Sequence, residues 1–514
     1  MSPRLVNILA ILIIAALLLM IVANGMTKPL GRDEQMYCTA GVLLAQGKAI
    51  YSDFSYPSQM PCHPLLYAAL FKIFNTRYYL LVGRAVSILC DILVVVCIIG
   101  IYRRVFTPFE TCRIWLGLAG VVLYLFNPLV DYANSYAWNH DVVTSCVILS
   151  FWLFISSNSA DKPRPWQTAA IGALLTLATS MRITTALVQM LFFAFILTRS
   201  APSLRQRLKN ITPFLVATAL TLLWPAWVVL HAWRPFLLNL IKIPALYGAW
   251  LHKIGMVHSK PELIYTCLTT PGYLALISIV IYVSLITGCR HRKLTISNAR
   301  CLLLAALLVL TFFVIALIPP TIWRQYLAMP VPFLVVTLAY PLRYLRTAAP
   351  EGAPHKHFRL AVVLLAACVT VGVTTYPVLL YRTPILLAPE AWVPIRLHKT
   401  SEDISQLANP PKRVLTLAPL FATEGGCTIY PELSAGAIVY RIADSLTPPE
   451  RALTHTVGPE TLAALVERRP PSVVVLGVEM DLLEASLFDS TLQRNDQKWE
   501  KKVYDGGITA YFRR

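Results

Sequence analysis

LVNILAILIIAALLLMIVAN, residues 5–24, is a run of 20 residues without a charge. The hydrocarbon layer of a bilayer is about 30 Å thick, and a helix needs roughly 20 apolar residues to cross it. Ten further runs read the same way, near 78–102, 113–130, 140–157, 166–181, 183–198, 211–231, 263–288, 301–318, 327–342 and 360–380. The fifth and sixth spans are short and separated only by Arg182. One basic residue precedes the first run and no small-residue cleavage site follows it, which predicts a retained helix. Composition agrees: of 514 residues, 56% are hydrophobic and 14% charged. Soluble domains carry about 25% charged residues, so a water-soluble enzyme is excluded.

Charge divides the chain. Residues 1–381 hold 30 Lys and Arg against 10 Asp and Glu, whereas residues 382–514 hold 15 against 16. This predicts a transmembrane domain over 1–381 and a soluble domain over 382–514. With the N-terminus inside, 18 basic residues fall in short inner loops and 11 in longer outer ones, which predicts a cytoplasmic N-terminus. Eleven crossings then place the C-terminal domain outside. The basic excess belongs beside a bilayer, so nucleic acid is not the expected partner. In the tail, RVLTLA (413–418) and SVVVLGV (472–478) read as strands and PETLAALVER (459–468) as a helix, hence a small α/β domain. No G-x-G-x-x-G marks a nucleotide site there. The 11 cysteines are scattered without CxxC or zinc spacing. Cys38 and Cys62 share an outer loop where an oxidising compartment would let them pair.

The ten acids of the membrane region are unevenly placed. Glu110, Asp161 and Glu351 fall in inner loops and Asp91 within a span, while Asp33, Glu34, Asp53, Asp131, Asp141 and Glu262 fall on or near the outer face. Asp53 and Glu262 taken singly read as loop decoration. Asp33-Glu34 opens QMYCTAGVLLAQGK, an amphipathic stretch, where acids complement a helix N-terminus or serve as a general base toward an acceptor hydroxyl. YSDFSYPSQMPCHPLLYAALFKIF then leads into an apolar helix too short to span. Arg84 and Asp91 lie two helical turns apart and read as an intramembrane pair. His140, His231, His252 and His258 stand alone and read as interfacial or structural, so no metal site is expected.

The segment GRDEQMYCTAGVLLAQGKAIYSDF…HPLLYAALFKIF resembles the first external loop of type-C membrane glycosyltransferases, in the group of protein O-mannosyltransferases, the lipid A aminoarabinose transferase and rhizobial lipopolysaccharide-core sugar transferases. Their pattern is an acidic pair, G-x-x-x-Y, then Pro-Pro-Leu-x-Tyr. Asp33-Glu34, Gly47, Tyr51 and His63-Pro64-Leu65-Leu66-Tyr67 stand in those places, with His63 replacing the first Pro. NPLVDYANSYAWNHDVVTS puts Asp141 where the second acid lies, and IWRQYLAMPVPFL resembles the Arg-Tyr-x-x-Pro segment near the donor phosphate, with Gln325 inserted between Arg324 and Tyr326. Arg182 matches the basic residue of the short fifth–sixth helix turn. The likeness covers residues 1 to about 345.

Hydropathy, charge and this resemblance together predict an α-helical polytopic membrane protein of about 11 transmembrane helices plus membrane-surface helices in a plasma (inner) membrane. The strand and helix patterns of the tail, outside the resemblance, predict an extracytoplasmic C-terminal α/β domain. The resemblance implies a hexosyl- or pentosyltransferase that moves a sugar from a polyprenyl-phosphate donor to an envelope glycolipid, glycan or protein, with no cofactor. Asp33, Glu34 and Asp141 are then the catalytic candidates, with Asp33 as base. Arg324, Tyr326, Arg182 and Lys48 are the candidates for the donor phosphate, and His63, Tyr51 and Tyr67 for substrate. A departing lipid phosphate needs cations, and a carboxylate must take the acceptor's proton. Arginine near a span is costly and marks a functional candidate, although Arg324 snorkelling to headgroups or Arg182 pairing structurally would also fit. The alternative is a polytopic transporter or lipid flippase, whose coupling acids belong near the bilayer midplane between repeats.

Overall fold

The computed structural model describes residues 3–107, 110–158, 164–199, 203–257, 259–288, 296–319, 321–347, 356–479, 481–493 and 498–514. Asp161, Glu351 and His258 lie outside the described residues. Helix α1 (Pro3–Thr27) is followed by two short helices, α2 (Arg32–Ala45) and α3 (Cys62–Phe74), before α4 (Tyr79–Val105). Next come α5 (Glu110–Leu125), α6 (Pro128–Ala133), α7 (Asn139–Asn158), α8 (Pro165–Thr179), α9 (Ala186–Leu197) and α10 (Leu204–His231). The membrane region continues through α11 (Trp233–Leu237), α12 (Ile243–Lys253), α13 (Lys260–Leu268) and α14 (Pro271–Gly288). It closes with α15 (Ile296–Leu317), α16 (Val331–Thr347) and α17 (Lys356–Thr375).

Among the described residues, eight helices are long and apolar enough to cross a membrane: α1, α4, α7, α10, α14, α15, α16 with its preceding turn, and α17. The three other expected spans form α5, α8 and α9, of 16, 15 and 12 residues. At 1.5 Å per residue such helices reach about 18–24 Å, short of a full hydrocarbon layer. Eleven helices thus occupy the eleven expected places, but three are shorter than a full crossing. At the centre lies α16, where every side chain from Val331 to Leu342 is buried. Tyr102 of α4 donates to the Val335 carbonyl at 2.8 Å and ties the two together.

The tail folds on a five-stranded sheet of order β2-β1-β3-β5-β4. Its strands are β1 (Arg413–Leu415), β2 (Thr428–Ile429), β3 (Val473–Leu476), β4 (Trp499–Val503) and β5 (Thr509–Arg513). β1 pairs in parallel with β2 and β3, while β5 runs antiparallel to β3 and β4. The domain is seated on one end of the helical bundle by specific contacts. Buried Glu424 accepts from the Leu80 amide at 2.7 Å and lies 3.1 Å from His398 Nδ1. The His398 ring stacks on Tyr78 at 3.7 Å. The Leu420 amide donates to Gln35, and Lys242 pairs with Glu450 at 2.5 Å.

Candidate active site

The expected surface helix forms as α2, and α3 folds back against it. Gly41 permits the contact, because a Cβ there would come within 2.7 Å of the Tyr67 Cβ. The adjacent acids at the start of α2 point apart, as a 100° step per residue requires. Glu34 turns inward and is fully buried. Its carboxylate takes Arg84 Nε and Nη2 at 2.9 and 2.8 Å and the amides of Ala137 and Gly31 at 2.7 and 2.8 Å. The expected Arg84–Asp91 pair does not form. Asp91 instead accepts from Asn134 and Ser135 at 2.5 and 2.7 Å.

Asp33 is half-buried and faces the other way. Burial lifts its carboxyl to about 6, although the charges of Arg182 and Arg32 pull it down. Arg182, in the turn between α8 and α9, lies 5.7 Å above the Tyr326 ring. It donates to Asn139 Oδ1 at 3.0 Å and to the Met329 sulfur at 2.9 Å, and Asn139 in turn donates to Gln59 at 2.7 Å. Arg324 opens the 3₁₀ turn Arg324–Leu327 and is exposed. Its charge and that of Asp33 both act on Tyr132. Asp33, Arg182 and Tyr326 therefore lie near one another with Tyr37 beside them, and Arg324 is linked to Asp33 through Tyr132.

Asp141 does not join this group. Its Oδ2 accepts from the Ser135 amide at 2.8 Å, and the carboxylate is buried beside Asp91 and Lys28. Lys28 donates to the carbonyls of Asp131 and Asn134, and Arg382 and Tyr376 hold the Asp131 carboxylate at 2.7 and 2.8 Å. This network braces the loop between α6 and α7, which carries the Ala137 amide to Glu34.

Lys48 also stands apart. It follows α2, whose length from Asp33 to Ala45 is about 18 Å, and it lines a cavity of about 390 Å³ with Lys72, Trp224 and Trp227. His63, Tyr51 and Tyr67 are buried in an aromatic cluster. His63 lies 4.8 Å from Tyr37 and 4.4 Å from Tyr67, and burial holds it neutral, near 3. The Tyr51 hydroxyl donates to the Gln59 carbonyl at 2.7 Å. These three shape the loop from α2 to α3 from beneath. The same loop is pinned by Asn239, whose Oδ1 accepts from Ser55 and the Tyr56 amide at 2.6 and 3.0 Å. Nothing local in the sequence signalled Asn239, Asn139 or Tyr37, because their partners are distant in the chain. Cys38 and Cys62, whose pairing the sequence left open, are both buried free thiols.

The chain is a polytopic membrane protein with the type-C glycosyltransferase fold. Residues 57–229 match the family described as dolichyl-phosphate-mannose-protein mannosyltransferase. The whole chain is similar to the crystal structure of ArnT from Cupriavidus metallidurans bound to undecaprenyl phosphate, with TM-score 0.62 and 14% identity over 99% of this chain and 98% of that one. It is also similar to the apo state of that ArnT, with TM-score 0.58 and 15% identity over 98% and 97%. The apo oligosaccharyltransferase of Archaeoglobus fulgidus gives TM-score 0.51 and 10% identity over 98% of this chain and 74% of that one. At such identities the likeness is one of fold. No curated protein matches the chain in sequence.

Proposed function

We propose that the protein is an integral membrane glycosyltransferase that moves a sugar from a polyprenyl-phosphate donor to a glycolipid, glycan or protein of the cell envelope. The observation that carries this reading is the half-buried Asp33 held beside Arg182 and Tyr326, with Arg324 exposed nearby. Asp33 takes the proton of the acceptor hydroxyl as its oxygen attacks the sugar's anomeric carbon. The bond from that carbon to the phosphate oxygen breaks, and the electron pair leaves with the lipid phosphate. Arg182 and Arg324 meet the developing negative charge, and Tyr326 holds Arg182 in place by its ring. Glu34 and Asp141 are scaffold rather than chemistry. The ligand named for the ArnT structure, undecaprenyl phosphate, is the class of product this site would release.

The reaction runs on the outer face, with the N-terminus cytoplasmic and the C-terminal domain outside. A transporter reading would want its acids at the midplane, whereas Asp33 stands at the bundle end. The resemblance to lipopolysaccharide-core enzymes favours a glycolipid acceptor. The test is to incubate the purified protein in lipid with polyprenyl-phosphate-linked sugars and envelope extracts. Release of polyprenyl phosphate matched by a sugar-sized mass gain on a lipid or glycan is expected. Sugar movement across vesicles with no transferred product would overturn the reading.

A further inference from the structure

The residue before Asp33 is held by the soluble domain. Arg32 Nε lies 3.1 Å from Glu479, and Arg441 Nη2 lies 2.7 Å from the same carboxylate oxygen. The Glu479 and Arg441 side chains are 3% and 2% exposed, whereas Arg32, 49% exposed, reaches the same carboxylate from the solvent side. Glu479 follows β3, and its turn is fixed by Glu484, which accepts from the amides of Gly477, Val478 and Glu479 at 2.5, 3.0 and 2.9 Å. Arg441 reaches on to α12, donating to the Tyr247 hydroxyl at 3.1 Å with its guanidinium 5.3 Å from the Trp250 ring. One carboxylate thus joins the first turn of α2, the outer helix α12 and the sheet domain.

We infer that Glu479 is a positioning residue for Asp33: from the soluble domain it holds Arg32, and with it the first turn of α2, in register with Arg182. This rests on Asp33 being the base of the proposed reaction. The charged groups acting on Asp33 are Arg182, Arg32 and Glu34, and its charge reaches Tyr37, Tyr56, Tyr132, Tyr247 and Tyr326. Those acting on Glu479 are Arg32, Arg441 and Glu484. Because Glu479 offsets the charge of Arg32, its loss leaves that positive charge uncompensated beside Asp33 and favours the ionised carboxylate. Loss of Arg32 acts in the opposite sense.

The test is carbodiimide labelling of Asp33 in the full-length protein, followed across pH by peptide mass spectrometry, since the reagent attacks the protonated carboxyl. This readout needs no transfer activity, so it separates the present inference from the function it rests on. Glu479→Gln should lower the labelling midpoint by about 0.5 pH unit or more, and Arg32→Gln should raise it. Glu450→Gln, which breaks the separate Lys242 contact between the domains, should leave the midpoint in place. Where Glu479→Gln is not recovered folded, Arg441→Gln supplies the second variant: removing one of the two arginines leaves Glu479 to hold Arg32 more fully and should raise the midpoint. Wild-type midpoints in both the Glu479 and Arg441 variants would overturn the inference, as would an equal fall in Glu450→Gln.

Discussion

Glu34 receives both arms of the Arg84 guanidinium, at 2.9 and 2.8 Å, in a site that excludes solvent from either side chain. The remaining Arg84 donors meet the carbonyls of Gly25, Lys28 and Pro29 at 2.8, 2.8 and 3.1 Å. The pair therefore locks the end of α1, the start of α2 and the second turn of α4 together. Asp33, one residue earlier, is left to face the open side. The division of labour between two consecutive acids follows from that single lock.

A buried ion pair that loses one member leaves the other charge uncompensated, at a cost of about 3–5 kcal/mol. Arg84→Met should therefore sharply lower the thermal midpoint of the detergent-solubilised protein, and Glu34→Gln should lower it measurably. Asp33→Asn should leave it near the wild-type value. Fluorescence-monitored melting checks all three.

Arg182 is aimed by Asn139 and Met329, and among the described residues Arg324 has no such brace. A hydrogen bond between charged partners is worth about 1.5–3 kcal/mol, so Arg182→Ala and Arg324→Ala should each weaken polyprenyl-phosphate binding roughly 10- to 100-fold. Asn139→Ala keeps the Arg182 charge and loses only its aim, so its loss of affinity should be smaller. Titration calorimetry with polyprenyl phosphate distinguishes these cases. Arg324→Lys should recover part of the binding, because an ammonium lacks the planar fork.

The Asp33 carboxyl is raised to about 6. A base must be ionised, so transfer should be weak below that pH, rise through it and level off above. A kcat profile flat from pH 5 to 8 would assign the base elsewhere.

Docking of the C-terminal domain has its own pH dependence. Burial opposes protonation of His398, but the bonds and charges of Glu424 and Glu402 outweigh it and hold the imidazole above its usual range. A raised folded value means the contribution is complete below the unfolded value and is lost as pH rises through the folded one. Proteolysis of the junction near Tyr78 should accelerate on raising pH through neutrality, and His398→Ala should abolish that dependence.

The spans, the α2–α3 hairpin and the strands at 413 and 473 were legible in sequence, because hydropathy runs and alternation are local properties. The tail's other strands were not: β2 has two residues, and WEKKV in β4 lacks apolar alternation. Pairings across long separations were also hidden. Two-turn spacing pointed Arg84 at Asp91, yet Arg84 lies opposite Glu34, 50 residues away, and the loop polar groups at Asn134 and Ser135 satisfy Asp91. Lys48 carried the right charge in the same loop region, but the length of α2 sets it far from Asp33. The arginines gathered near Asp33 come from loops after α8 and α15, which only the folded bundle brings together.

The central claim is that Asp33 is the base, and a single comparison tests it most directly. Single-turnover transfer from a labelled polyprenyl-phosphate sugar should be measured for wild type and Asp33→Asn, with donor affinity measured in parallel. Asn keeps the shape and loses the basicity, so the rate should fall by about 10² to 10⁴ while donor binding stays within a few-fold. Near-normal turnover in Asp33→Asn, with Asp141→Asn inactive though folded, would contradict the account and move the base to the loop between α6 and α7.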